Sequence, residues 1–233
     1  MLYIIGLGLD CKSISKQGLE IIKKCKRIYL ENYTVEFPYS IACLKNIIEK
    51  KIIPADRKKV ESCKLIDEAK KLDVALLVYG SPLTATTHIT LLDEAKKSGI
   101  KCKIIYNASI FDAVAETGLQ LYKFGKIASM PKFEADSYIE IVKNNQKINA
   151  HSLILIDIGL DFKTAIEKLK KDCEKHEMKL KKIIVCSKLG TKETRIYYNT
   201  PDKLKEKNPK TPFCFIFPEK LHFMEKEFLE KFK

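Results

Sequence analysis

The chain has 233 residues, an apolar fraction of 45% and a formal net charge of +13, a composition that supports a sizeable core and excludes a low-complexity or disordered protein. No apolar run approaches the ~18 residues that a membrane-spanning helix needs, and residues 1–6 read as a first strand and not as a signal peptide. The charge invites a nucleic-acid reading, but arginine occurs only at Arg27, Arg57 and Arg195, and arginine is the residue that forks bases and phosphates. The remaining basic residues are lysines spread over most helices, which marks a solvated face; the alternative is a basic docking face for an acidic or ribosome-associated partner.

In chain order, Leu2 to Ile5 is an apolar strand that runs into Gly6-Leu7-Gly8-Leu9-Asp10. Ser15 caps a helix through Lys26, with Leu19, Ile22 and Cys25 or Ile21 inward. A strand at 27–30, a helix at 41–49, a brief strand at 51–53 and a helix at 61–71 follow. The apolar run 74–78 is a buried strand, and Tyr79-Gly80-Ser81-Pro82-Leu83-Thr84-Ala85-Thr86-Thr87-His88 leads from it into a helix over 89–97. Gly99 closes that helix, 102–105 is the next strand, and Asn107-Ala108-Ser109-Ile110 opens a helix ending at Gly118. This alternation of continuous apolar strands with helices predicts an α/β fold with a mostly parallel N-terminal sheet covered on both faces.

A boundary is expected near 119–124, giving domains 1–122 and 123–233. Beyond it, strands are expected at 126–130, 152–158, 182–186, 195–199 and 213–217, and helices at 135–144, 162–174, 201–205 and 221–232, consistent with a mixed sheet. There is no internal repeat.

The familiar chemical motifs fail. Gly6-x-Gly8 lacks the third glycine of a dinucleotide fingerprint, because Cys11 holds its place. Neither a P-loop nor a nucleophile elbow is present. His88, His151, His176 and His222 are isolated from one another; His176 reads as an exposed helix end, His151 as the start of a strand and His222 as the start of the last helix. The eight cysteines, Cys11, Cys25, Cys43, Cys63, Cys102, Cys173, Cys186 and Cys214, include no C-x-x-C pair, and Cys173 with His176 lacks the second pair of a zinc site. Cys25, Cys102, Cys186 and Cys214 fall on apolar positions and read as small core residues, which suits a reducing, cytoplasmic setting. What remains is a set of small-residue corners at strand ends: 6–9, 80–84, 107–110 and 157–159. Corners that follow parallel strands face one edge of a sheet, where open α/β sheets hold ligands, so the four are expected to line one cleft.

The corners also carry a resemblance. Leu2-Tyr3-Ile4-Ile5-Gly6-Leu7-Gly8-Leu9, Ser15-x-x-Gly18-Leu19-Glu20, Gly80-x-Pro82-Leu83-x-Ala85-Thr86-Thr87-His88, Ala108-Ser109-Ile110 and Thr117-Gly118-Leu119-Gln120-Leu121-Tyr122-Lys123-Phe124-Gly125-Lys126 occur in order. With Leu155-Ile156-Asp157-Ile158 and Lys220-Leu221-His222, they cover nearly the whole chain. The sequence thereby resembles the diphthine synthases, a tetrapyrrole-methylase-like class of S-adenosylmethionine-dependent methyltransferases.

The resemblance implies two α/β domains with the cofactor in the cleft between them, in a cytoplasmic homodimer. It implies methylation of the amino group of the 3-amino-3-carboxypropyl arm on a histidine of translation elongation factor 2, in archaea by three transfers that give diphthine, with S-adenosylhomocysteine as by-product. By position, it carries over Leu9, Ser81, Thr84, Ser109, Ile110, Ile156, Leu189, Phe213 and Cys214 as cofactor contacts. No membrane, metal or stable nucleic-acid partner is implied. Two departures stand out: Ser81 replaces the aspartate of the usual Gly-Asp-Pro-Leu turn, and the segments 132–135 and 161–181 are short for the family. Methyl transfer from a sulfonium needs alignment and a neutral amine but no enzyme nucleophile, so no dedicated base is assigned; for His88, capping or packing outweighs a base role. The competing readings are a corrin or ribosomal-RNA methylase of the same fold and a non-catalytic, lysine-rich ribosome-associated protein.

Overall fold

A computed structural model describes residues 1–62 and 64–233. The chain divides into two compact units, Met1–Ile110 and Phe111–Lys233, a division that falls earlier than the boundary suggested near 119–124. The first unit contains β1 (Leu2–Gly6), α1 (Lys16–Lys24), β2 (Arg27–Glu31), α2 (Ile41–Ile48), β3 (Ile53–Ala55), α3 (Arg57–Glu61), α4 (Lys64–Ala69), β4 (Val74–Val78), α5 (Ile89–Lys97) and β5 (Cys102–Ile105).

Its five strands order as β3-β2-β4-β1-β5 and pair in parallel throughout. All five residues of the central β4 are buried, as its unbroken apolar run requires of a strand covered on both faces. Ala75 and Leu77 pack on one side with Ile22, Leu30 and Leu44. Val74, Leu76 and Val78 pack on the other with Leu65, Ile66 and Leu91.

Three expectations shift here. The strand foreseen at 51–53 begins at Ile53, where Ile53, Pro54 and Ala55 pair with Tyr29, Leu30 and Glu31; as an edge strand it tolerates proline. Helix α1 stops at Lys24, two residues early, because Cys25 turns extended and the Lys26 N–H donates to the Asp73 carbonyl at 3.0 Å. The helix expected over 61–71 is α4, Lys64–Ala69, and a separate α3 ends at Glu61, capped by Asp56, which accepts from the Lys59 N–H at 2.8 Å. Cys63, inside that expected helix, lies outside the described residues.

The second unit opens with α6 (Ile110–Ala113), which straddles the division, and 3-10 turns at Val114–Thr117 and Leu121–Lys123. Then come β6 (Ala128–Met130), α7 (Ser137–Lys147), β7 (Ser152–Ile156), α8 (Phe162–Lys175), β8 (Ile183–Ser187), β9 (Arg195–Asn199), α9 (Pro201–Lys205), β10 (Phe213–Phe217) and α10 (Phe223–Leu229). The sheet order is β6-β7-β10-β8-β9, with β6 and β7 parallel and the other neighbours antiparallel, so the sheet is mixed as expected. Alternate β10 residues Phe213, Phe215 and Phe217 enter a core with Tyr138, Val142, Phe162 and Leu169 of the helices.

The run 117–126 does structural work. Gly118 sits at φ +80 against the Phe228 ring, where a Cβ would collide. The fully buried Glu225 of α10 accepts from the N–H groups of Gln120 (3.0 Å) and His222 (2.7 Å) and forms an ion pair with Lys123. The equally buried His151 completes the cluster: its Nδ1 accepts from the Glu219 N–H at 2.9 Å, so its Nε2–H faces Glu225 Oε1 at 3.2 Å. Asn145 binds both the N–H and the carbonyl of Lys126, and Ser152 besides.

His222 caps α10 as expected, with Glu225 closing a capping box. His176, read as exposed, is instead half-buried at the end of α8, with Nδ1 3.0 Å from Glu140 Oε1. One cysteine pair departs from the reducing picture: Cys11 and Cys43 are joined in a disulfide. Cys25, Cys173, Cys186 and Cys214 are buried free thiols, and Cys102 is half-buried and free. Among the described residues, no helix is long and apolar enough to cross a membrane.

Candidate active site

Parallel pairing puts the carboxyl ends of β1, β2, β4 and β5 at one edge of the first sheet. Three of the four expected corners meet there. Gly8 and Gly80 exchange backbone hydrogen bonds of 3.1 and 3.0 Å, which joins the β1 corner to the β4 corner. Asn107 ties in the β5 corner: its Nδ2 donates to the carbonyls of Gly6 (3.1 Å) and Ser13 (2.9 Å), and its Oδ1 accepts from the Ala108 N–H at 2.8 Å.

Such close approach needs residues without a Cβ. At Gly6 one would lie 2.6 Å from the Gly80 carbonyl oxygen; at Gly8, already at φ +71, one would lie 2.6 Å from Ser13 Cβ. The fourth corner, 157–159, is a correction. It ends β7, whose partners are β6 and β10, so it belongs to the second sheet and not to the edge shared by the other three.

The expected contact residues of the first unit all lie on these corners. Leu9 is buried, and its carbonyl accepts from the Tyr79 hydroxyl at 3.3 Å. Ser81 and Thr84 are half-buried, and the Thr84 N–H donates to the Ser81 carbonyl at 3.1 Å. Ser109 is buried, and Ile110 beside it is half-buried. His88 is buried with Nδ1 3.0 Å from the Pro82 carbonyl, so Nδ1 carries the proton and donates. Its role is to lock the turn.

The second unit gathers its expected residues at one end of its sheet. Phe213 pairs with Ser187, Cys214 with Leu155, and Ile156 ends β7. Leu189 follows in the turn where the Lys188 N–H donates to the Pro212 carbonyl at 2.9 Å. The Phe213 ring turns into the core against Phe162, at 5.4 Å between centroids, and leaves only its backbone for a ligand. Cys214 and Leu189 are likewise buried.

Sequence reasoning missed the loop after β2. Buried Glu31 accepts from the N–H groups of Tyr33 (2.8 Å) and Thr34 (2.9 Å) and folds this loop at the same edge as the three corners. An acid ending an apolar strand, followed by Tyr33, Phe37 and Tyr39, was the available signal.

Chemically, the edge offers backbone groups, hydroxyls and the half-buried Asp10 carboxylate. No cluster of potential metal ligands occurs among the described residues. A polar, largely uncharged edge fits a nucleoside-linked amino acid such as S-adenosylmethionine.

Comparison with known proteins agrees with this geometry. Residues 1–205 match the family described as Tetrapyrrole (Corrin/Porphyrin) Methylases. The chain belongs to that family and is a methyltransferase of the S-adenosylmethionine-dependent class. A diphthine synthase of Methanococcus maripaludis is 37% identical over 249 residues, spanning 99% of this chain and 98% of the relative. A probable diphthine methyl ester synthase of Arabidopsis thaliana is 35% identical over 272 residues, spanning 100% and 98%. A crystal structure of a diphthine synthase superposes with a TM-score of 0.93 at 34% identity, covering 99% of this chain and 95% of the other. Within the family, the chain therefore stands with the diphthine synthases, the methyltransferases of diphthamide biosynthesis.

Proposed function

We propose that this protein transfers methyl groups from S-adenosylmethionine to the amino group of the 3-amino-3-carboxypropyl arm on the modified histidine of translation elongation factor 2. Three transfers give diphthine and three molecules of S-adenosylhomocysteine. The residues that contact the cofactor are Leu9, Ser81, Thr84, Ser109 and Ile110 of the first unit and Ile156, Leu189, Phe213 and Cys214 of the second. The enzyme acts as a cytoplasmic homodimer. The observation that carries this reading is the convergence of three corners on one sheet edge, in a chain whose full-length relatives are diphthine synthases.

Positioning does most of the chemical work: an amine lone pair is aligned with the S–CH₃ bond once the ammonium has given up a proton. The test offers labelled S-adenosylmethionine with elongation factor 2 carrying the aminocarboxypropyl histidine. Label is expected on the protein; label in RNA or a corrinoid instead, or no cofactor binding by calorimetry, would overturn the reading.

The plant relative's name specifies a methyl ester, which supports a second reading with one further transfer to the carboxylate. Mild alkali separates the two, because it releases methanol from an ester and leaves N-methyl groups in place.

Ser81 sets a further expectation. Serine offers a neutral hydrogen bond of about 1 kcal/mol where a carboxylate would make a charge-assisted one of about 1.5–3 kcal/mol. Ser81→Asp is expected to tighten cofactor binding several-fold by calorimetry. Unchanged or weaker binding would mean that the pocket balances the cofactor's charge in some other way.

A further inference from the structure

The loop after β2 brings side chains to the site that the foregoing reading leaves unused. Phe37 lies 5.5 Å from both Tyr39 and Tyr79 between ring centroids, with edge-to-face geometry, and Tyr39 and Tyr79 are 6.3 Å apart. All three are half-buried. Tyr79 immediately precedes Gly80, and its bond to the Leu9 carbonyl pins the cluster to the β1 corner. The cluster thus sits over the ends of three adjacent strands, β2, β4 and β1. The Tyr39 hydroxyl is enclosed without a partner among the described residues, and the Phe37 and Tyr39 rings are seated against the core that holds Ile5 and Leu7. Burial raises both phenol pKa values, followed at Tyr39 by Tyr79 and then the Asp10 carboxylate and at Tyr79 by Asp10, so Tyr39 and Tyr79 stay neutral.

We infer that Phe37, Tyr39 and Tyr79, with Asp10 beside them, form the subsite for the ammonium arm of the acceptor and hold it through successive methylations. This rests on the N-methylation proposed above. In each transfer the C–S bond breaks, its electron pair stays on sulfur as the thioether, and the nitrogen lone pair forms the new N–C bond. The resulting ammonium gives a proton to solvent before the next transfer, and the third leaves a quaternary nitrogen with no N–H. The arm therefore returns to a positive charge after each transfer while it loses its hydrogen-bond donors one by one. A subsite built of acceptors would lose its grip midway. Aromatic faces attract the cation whether or not it carries N–H groups, and a carboxylate acts through charge alone.

The experiment measures mono-, di- and trimethyl products at equal substrate consumption for wild type, Tyr39→Leu, Phe37→Leu and Tyr39→Phe, with S-adenosylhomocysteine affinity measured in parallel. The leucine variants are expected to lower the trimethyl fraction several-fold, and Tyr39→Phe, which keeps the ring, to restore it. Unaltered product distributions in both leucine variants would overturn the inference. A wild-type enzyme that transfers no methyl at all would instead overturn the preceding reading. Should the leucine variants fail to fold, wild-type inhibition by choline against its uncharged isostere 3,3-dimethyl-1-butanol decides: stronger inhibition by choline supports the subsite, and equal or absent inhibition overturns it.

Discussion

Glu225→Gln is expected to destabilise the protein by about 3–5 kcal/mol, the range for breaking a buried charge pair. The carboxylate is fully buried, accepts two backbone N–H bonds, and faces Lys123 and His151. A glutamine keeps an acceptor but brings two N–H donors into a site whose neighbours are themselves donors, and it leaves the Lys123 ammonium uncompensated. Burial alone would raise the Glu225 pKa, but the Gln120 N–H, the Lys123 ammonium, the His222 N–H and His151 outweigh it and bring it down to about 2. Burial lowers the His151 pKa, and Lys123 adds to that against the pull of Glu225.

The signs of these two shifts agree. An unfolded chain protonates His151 near its ordinary 6.5 and Glu225 near 4.5, whereas the folded chain resists both. The stability they contribute is present above those values and is lost as the pH falls from about 6.5 toward 2. Thermal melts across that window check both points: the wild type should lose melting temperature on acidification, and the variant should lose less of it below about pH 4.5. A variant that melts like the wild type at neutral pH would refute the role given to Glu225.

Gly8→Ala is expected to weaken S-adenosylmethionine binding by tenfold or more (about 1.4 kcal/mol) and to lower the melting temperature as well. A non-glycine residue in the left-handed region costs roughly 1–3 kcal/mol, and at φ +71 the new methyl would also press on Ser13 Cβ at 2.6 Å and Asn107 Oδ1 at 3.0 Å. Asn107 holds the β1 and β5 corners together, so the strain spreads to the whole edge. Calorimetry for binding and a melt for folding separate the two effects. Full-strength binding in the variant would show that the corners do not act as one cradle.

Much of this architecture was legible in the residues. β4, α5, β5, β9, α9 and β10 take the bounds their apolar runs and helix signals suggest; continuous burial fixes β4 and β10, and the proline start fixes α9. The three meeting corners were legible for a similar reason: Gly6, Gly8, Gly80 and Asn107 are residue types that allow backbones to approach. What could not be read depended on contacts distant in sequence. The pairing of β3 with β2 moved that strand, and the approach of the β1 corner to α2 produced the Cys11–Cys43 bond. The corner at 157–159 looked like its fellows, yet only strand pairing decides which sheet it terminates. The loop after β2 was hidden because Glu31 orders it by hydrogen bonds that no periodicity announces.

The antiparallel pairing of β7 with β10 has a consequence for mutational tolerance. It sets Ile156 and Phe213 at one end of the second sheet and His151, with the cluster around Glu225, at the other. Strands of five residues separate the ends by ~17 Å. If the proposed contacts at Ile156 and Phe213 hold, ligand contact and endurance therefore draw on different stretches of the same strands. A library randomised over 219–229 is free to search for heat-resistant forms while the proposed contact residues keep their identity, and drift at either end need not be answered at the other.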